Sequence, residues 1–405
     1  MGDVLFLAHR SPWPPDRGDK IRAYHILKHL SATRQVHLIA FADDRRDLKE
    51  KAALVALSAT RALVWRAKSR ARATLEALVG GRPASLTAFD SRAMRARVAD
   101  ILQRRSIDTI YVFSSQMAQY LPSATRARVI MDFCDVDSLK FAAYAKASYG
   151  PMRWLLMREA RLLRQFEQSV ANWVDASVFV SEPEAELFRA RSRACNVHVI
   201  ENGIDSEFFN PNASFRAHTA ASKQIVFTGQ MDYRPNIEAA QWFAQEILPR
   251  IRRVHPDATF AIVGRNPAGV VHDLGRRSGV IVTGEVDDVR GWLAGAACVV
   301  APLRQARGVQ NKVLEAMAMA RPVVASGCAA QGIDHAGTIL SGDTEDEIAR
   351  AVIGLLSDAD QATALGKRAR ARVQVRYTWS ARLEPLDRLL AAPHRHGALR
   401  TNAVA

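Results

Sequence analysis

The run Gly308-Val309-Gln310-Asn311-Lys312-Val313-Leu314-Glu315-Ala316-Met317-Ala318, followed by Pro322-Val323-Val324-Ala325, reads as a loop, a helix and a buried strand. A helix opening here leaves the backbone N–H groups of Val309, Gln310 and Asn311 without intrahelical acceptors, and such a terminus is suited to an anion. Lys312 and Glu315 are three residues apart and share a helix face with Gly308. Val313, Ala316, Met317 and Ala320 form the other face. A helix start plus a lysine suits a diphosphate. A carboxylate one turn deeper suits the two hydroxyls of a ribose. A solvent-facing ion pair on a packing helix has the same spacing and contributes little.

Further candidates stand in the first half. Gly18 offers close backbone approach to a phosphate or sugar, or is a turn glycine before a helix. Arg22 lies one helical turn on, facing the same way, or is a surface arginine. Asp132, Asp135 and Asp137 follow the apolar run 129–131. They could orient an acceptor hydroxyl or take its proton, mimic a cation site, or cap the next helix. His9 and His25 lie near the N-terminal loops, and His25, at helical spacing with Ile21, reads as packed or surface. The chain has no G-x-G-x-x-G, no P-loop and no Ser–His–Asp pattern, which argues against a dinucleotide oxidoreductase, an NTPase or a hydrolase.

Such residues act only if a scaffold brings them to one edge. Short apolar runs at 4–8, 36–41, 63–65, 109–113, 129–131, 176–180 and 197–200 alternate with helical stretches. That predicts a parallel sheet covered on both faces. After a turn signal at 201–205 the alternation restarts, with strands at 225–228, 259–263, 280–283, 298–301 and 322–325. The expected architecture is α/β: two Rossmann-like halves facing across a cleft, with ligands beyond the carboxyl ends of the strands. The expected divisions are an acceptor-binding domain at 1–210, a linker at 211–222, a donor domain at 223–376, a helix crossing back at 377–392 and a tail at 393–405.

Composition narrows the class. Of 405 residues 48% are apolar and 24% charged, ordinary for a globular chain of two domains. The four cysteines (Cys134, Cys195, Cys298, Cys328) are far apart and read as reduced. No stretch approaches the ~20 apolar residues of a spanning helix. The apolar run 4–8 is too short for a signal-peptide core. The expected location is cytoplasmic, peripheral at the inner face of the membrane. The formal charge is +15 and unevenly placed: residues 1–200 hold 32 basic and 20 acidic side chains, a net +12, and residues 201–405 hold 24 and 21, a net +3. Basic stretches at 61–105 and 152–166, interleaved with Trp65, Leu75, Leu78, Val79 and Phe166, suit an anionic membrane surface or are solvated faces over core leucines. Nucleic acid is not expected, because no recognition motif accompanies the charge.

Six segments in order resemble glycosyltransferase family 4, retaining enzymes of the GT-B fold, over nearly the whole chain. Gly18-Asp19-Lys20-Ile21-Arg22 stands where that family has its glycine loop, and Glu201-Asn202-Gly203-Ile204-Asp205 with Phe209 and Pro211 resembles its hinge. Phe227-Thr228-Gly229 and Ala261-Ile262-Val263-Gly264 resemble strands of the donor domain, the 308–318 run its donor signature, and Tyr377-Thr378-Trp379 the start of the returning helix. Residues 131–140 and 231–236 are most similar to exopolysaccharide sugar transferases associated with PEP-CTERM export.

The resemblance implies a transferase that takes a nucleotide-sugar as substrate, with no cofactor and no metal, and the cationic first half points to a lipid-linked or other glycan acceptor. It implies donor binding by Gly18, Gly229, Arg265, Gly284, Gly308, Val309, Gln310, Asn311, Lys312 and Glu315. Catalytic roles fall to Lys312, Arg307 and Asp135, and acceptor binding to Arg22, Asp132 and Asp137. Two positions depart from the family pattern. Arg307 replaces the first glutamate of its E-x7-E motif, and Gln230 replaces a phosphate-binding arginine, for which Arg234, Arg265 or Arg307 could substitute. The competing expectations are a non-catalytic basic binding protein of the same shape and a sugar-nucleotide epimerase.

Overall fold

Seven apolar segments of the first half pair in parallel: β1 (Asp3–Ala8), β2 (Val36–Ala42), β3 (Thr60–Trp65), β4 (Ile107–Phe113), β5 (Arg128–Cys134), β6 (Ala176–Phe179) and β7 (Val197–Val199). Their order is β3-β2-β1-β4-β5-β6-β7. Six more form a second parallel sheet: β8 (Gln224–Thr228), β9 (Thr259–Val263), β10 (Val280–Gly284), β11 (Cys298–Ala301), β12 (Val323–Ala325) and β13 (Leu340–Ser341), in the order β10-β9-β8-β11-β12-β13. The central strands are apolar on both faces because helices cover both; Val4 to Ala8 are wholly buried. In each sheet the strand order reverses beside the first strand, β1 or β8, and helix-bearing loops leave the carboxyl edge there.

This is a computed structural model, and it describes the chain except residues 1, 16, 50–51, 217, 219–222, 307–308, 393–399 and 402–405. It divides into two units, residues 1–202 with 383–405 and residues 203–382. The seam therefore falls ahead of the expected 210. Residues after it belong to the second unit: the Ile204 N–H donates to the Tyr377 carbonyl at 2.7 Å, and Phe209 and Phe215 pack on that unit's core. Gly203 is required there, because a Cβ would come within 2.6 Å of Trp379 Cα.

The last helix, Trp379–Ala391, starts in the second unit, and residues from 383 onward belong to the first. Its carboxyl end is capped by Arg128, which donates to the carbonyls of Leu389 (2.8 Å), Leu390 and Ala392. A cation there also meets the negative end of the helix dipole.

The basic stretch 152–166 lies in a 24-residue helix, Gly150–Trp173. Its inner side carries two buried carboxylates that cap other helices. Glu159 accepts from the N–H groups of Ala84 (2.7 Å) and Ser85 (2.9 Å), and Glu167 from Ser138 N–H (3.0 Å) and Oγ (2.6 Å). Burial pushes the Glu167 carboxyl up to about 7.

Candidate active site

The carboxyl edge of the second sheet is built from glycines. Gly229 N–H donates to Val263 O at 3.0 Å, and Gly264 N–H to Gly284 O at 3.1 Å, so β8, β9 and β10 stay tied beyond their last side chains. A Cβ on Gly264 would lie 1.6 Å from Gly229 O; only glycine fits. A Cβ on Gly229 would meet Asn236 Nδ2 at 2.8 Å and Lys312 Nζ at 3.2 Å. Above this edge is a cavity of about 450 Å³. Gly229, Arg265, Val309, Asn311, Lys312 and Glu315 line it, as expected positions; Thr228, Asn236, Gly264, Glu285, Val286 and Val289 line it too.

The helix bearing the lysine runs Asn311–Ala318, two residues later than its expected start, with Gln310 at its N-cap position. Val313 N–H bonds back to Gln310 O at 3.0 Å. Among the described residues, no backbone acceptor meets the N–H groups of Asn311 and Lys312 at this start. Gly284, at φ +70, precedes Glu285 and is not itself in the lining. Arg307 and Gly308 lie outside the described residues.

Lys312 Nζ donates to Asn236 Oδ1 at 2.5 Å and sits 4.5 Å from the centre of the Phe227 ring. Asn236 in turn donates through Nδ2 to Gln230 O at 2.9 Å, closing the loop after β8. Burial lowers the Lys312 ammonium to about 8, against the pull of Glu315. Burial raises the Glu315 carboxyl to about 7, against the pull of Lys312. Among the described residues no hydrogen bond engages that carboxylate. Thr228 Oγ1 is also buried and unpaired. The pair is thus held partly desolvated, its charges incompletely matched, beside an open cavity. Arg265 donates to Gln230 Oε1 at 3.2 Å, which sets its guanidinium beside that side chain. Arg234 is exposed and pairs with Glu238 at 2.7 Å.

The first unit's expected residues behave differently. Asp132 lies inside β5, not beyond it, and is fully buried. Its Oδ2 accepts from Arg22 Nε (3.0 Å) and Tyr111 Oη (2.7 Å), and its Oδ1 from Cys134 N–H (3.1 Å). Arg22 is 2% exposed and also donates to Asn202 Oδ1 at 2.9 Å. Both were expected to bind acceptor; both are instead closed into a core ion pair. Asp135 and Asp137 pair with Lys140 at 2.7 and 3.3 Å, and Asp137 also accepts from Ser115 Oγ at 2.8 Å. Gly18 opens the helix Gly18–Ser31 of this unit, with nothing near its would-be Cβ. Among the described residues no three His, Cys, Asp or Glu side chains gather as metal ligands would.

Sequence reasoning missed Asn236 and Glu285, and read Gly264 only as the end of a donor-domain strand. Glu285 stands directly after Gly284, so proximity to a strand-ending glycine was its only signal. Asn236 is 76 positions from Lys312, and nothing local marks it as the lysine's partner.

Residues 18–208 match the model of Glycosyltransferase Family 4, and residues 222–358 that of Glycosyl transferases group 1. The GDP-mannose-dependent alpha-(1-6)-phosphatidylinositol monomannoside mannosyltransferase of Mycobacterium tuberculosis is 26% identical, over 75% of this chain and 88% of its own. The solved structure of Anabaena HepE in complex with UDP and glucose is similar with a TM-score of 0.62 at 14% identity, covering 97% of this chain and 100% of that one. Sucrose-phosphate synthase from Thermosynechococcus elongatus is similar with a TM-score of 0.62 at 16% identity, covering 96% and 98%. Two Rossmann-like units of this topology define the GT-B fold. With a glycosyltransferase model matched in each half, the chain is a GT-B glycosyltransferase.

Proposed function

We propose that the chain moves a sugar from a nucleotide diphosphate donor to a lipid-linked glycan acceptor, with retention at the anomeric carbon and no metal, in exopolysaccharide or other cell-surface polysaccharide synthesis. The observation that carries the donor side is the single cavity joining a helix N-terminus, Lys312, Arg265 and Glu315 at a glycine edge. Diphosphate meets the first two, with Arg265 beside them; Glu315 accepts from the ribose hydroxyls; Val286 and Val289 offer an apolar wall to the base. As the bond between the anomeric carbon and the phosphate oxygen breaks, negative charge grows on the diphosphate. Lys312 and the N–H groups of Asn311 and Lys312 stabilise it there. UDP and GDP donors are both supported by relatives: a UDP complex for HepE and a GDP-mannose name for the mycobacterial enzyme.

A lipid-linked acceptor is supported by the first unit's surface. Val79 and Trp154 are 84% and 62% exposed. Arg158 ties their helices together by donating to Ala77 O and Arg82 O, at 2.8 and 3.2 Å. Exposed Arg72, Arg153 and Arg161 flank them. Such a surface docks on anionic lipid at the inner membrane face; among the described residues no helix is long and apolar enough to span. The test is transfer from UDP- and GDP-sugars to a lipid-phosphate glycan on anionic and neutral liposomes. Transfer favoured by anionic liposomes and weakened by salt supports the reading. Donor turnover that is absent with every sugar nucleotide, or equal on neutral lipid, overturns it.

A further inference from the structure

The first unit holds a larger cavity, about 730 Å³, that the donor site does not include. The helix Arg92–Arg104 turns Arg95, Val98, Ala99 and Leu102 toward it, at three- and four-residue spacing. Leu86 and Phe166 add apolar wall from two other helices. Gly81, at φ +66, lets the chain turn back after the helix Arg70–Val79, and Arg82 follows it into the lining. Arg82 Nη1 donates to Asp90 Oδ2 at 2.8 Å and its Nη2 to Gln119 Oε1 at 3.1 Å. Arg95 Nη2 donates to the other Asp90 oxygen at 2.5 Å, with its guanidinium 5.3 Å from the Tyr120 ring centre. Two partly exposed guanidiniums therefore share one carboxylate. One positive charge and several N–H donors remain unmatched beside apolar walls.

The size lies within the roughly 300–1,000 Å³ of small-molecule sites. Apolar walls alone would take any greasy chain, and the arginines alone any anion. The combination selects a molecule that is both. We propose that this cavity binds a single aliphatic chain ending in a phosphate, with the chain along Val98, Ala99 and Leu102 and the phosphate on Arg82 and Arg95. The inference does not rest on the transferase reading, because its test needs no sugar nucleotide.

Dodecyl phosphate below its micelle concentration is titrated calorimetrically into the full chain, beside inorganic phosphate and dodecyl maltoside. Saturable one-to-one binding of dodecyl phosphate, at least tenfold tighter than either control, is expected. Ala99→Trp fills the cavity from an exposed helix position and is expected to weaken that binding at least tenfold, with an unchanged melting temperature. Arg82→Gln combined with Arg95→Gln is expected to bring dodecyl phosphate down to the affinity of the maltoside. Equal binding of the three probes, no binding of dodecyl phosphate, or binding that ignores Ala99→Trp in a folded variant overturns the proposal.

Discussion

The two sheets share a topology, yet their carboxyl edges treat charge in opposite ways. At the edge of the first sheet the charged groups close on one another. Arg10 bridges Asp19 (2.6 Å) and Asp43 (2.7 Å), Arg66 takes the other Asp43 oxygen (2.5 Å), and Lys20 is buried against Asp47 (2.7 Å). His9 lies within this cluster, 3.2 Å from Asp19, with burial lowering its pKa despite the carboxylate. At the edge of the second sheet Lys312 and Glu315 are desolvated without a tight partner ion, and both titrate near neutrality. The first arrangement stabilises a fold. The second is costly in the empty protein and, on the donor-site proposal, becomes favourable when an anion and hydroxyl donors arrive. Strained charge beside an open cavity is the mark of a ligand site; a completed ion pair is not.

The largest expected effect tests the structural side of this contrast. Asp132→Ala leaves Arg22 buried and uncompensated, a change that costs about 3–5 kcal/mol in such pairs. The prediction is a large fall in the urea midpoint for the first unit's transition, with nucleotide affinity of the remaining folded protein unchanged. A stable variant with lost acceptor use would return Asp132 to the acceptor site.

Next is Lys312→Ala. A cation that meets charge developing in the transition state lowers turnover more than ground-state binding, by roughly 10²–10³ for a single lost donor. Steady-state kinetics should show a raised KM and a kcat that falls by more than KM rises; a raised KM at native kcat would confine Lys312 to holding the donor.

Glu315→Gln should have two effects of opposite sign. Losing a charged acceptor for the ribose should weaken nucleotide binding by roughly 1.5–3 kcal/mol. The empty protein should gain stability. The folded pKa is raised to about 7 from an ordinary 4.5, so the native carboxylate loses stability as pH rises through that window. The gain is expected above pH 7 and absent near pH 4, where the native carboxyl is itself neutral. Thermal melts at the two pH values check this. A variant no more stable at high pH would mean the carboxyl is not held under strain.

The sequence displayed most of the strands and the donor helix, because both sheets are read from short apolar runs and the helix from a local motif. It misled where long-range pairing decides. Asp132 looked like a post-strand carboxylate because the apolar run stops at Met131, but β5 continues to Cys134 and Arg22 neutralises the charge inside the sheet. Those partners are 110 residues apart. The second unit's glycines were visible as strand-ending letters. Their reason, the approach of Gly264 to Gly229 O, depends on which strands are neighbours. Arg265 as the cation beside Gln230 likewise emerges only when β8 and β9 are paired.

The most direct test titrates UDP and GDP into the wild-type protein and Glu315→Gln at pH 6, 7.5 and 9. Binding needs Glu315 ionised, above about 7, and Lys312 protonated, below about 8. At least one nucleotide should bind wild type most tightly near pH 7.5 and roughly tenfold more weakly a pH unit beyond each pKa. In Glu315→Gln the acid limb should flatten and the alkaline limb persist. Failure of both nucleotides to bind, or an affinity that neither pH nor Glu315→Gln alters, would contradict the assignment of this cavity as the donor site.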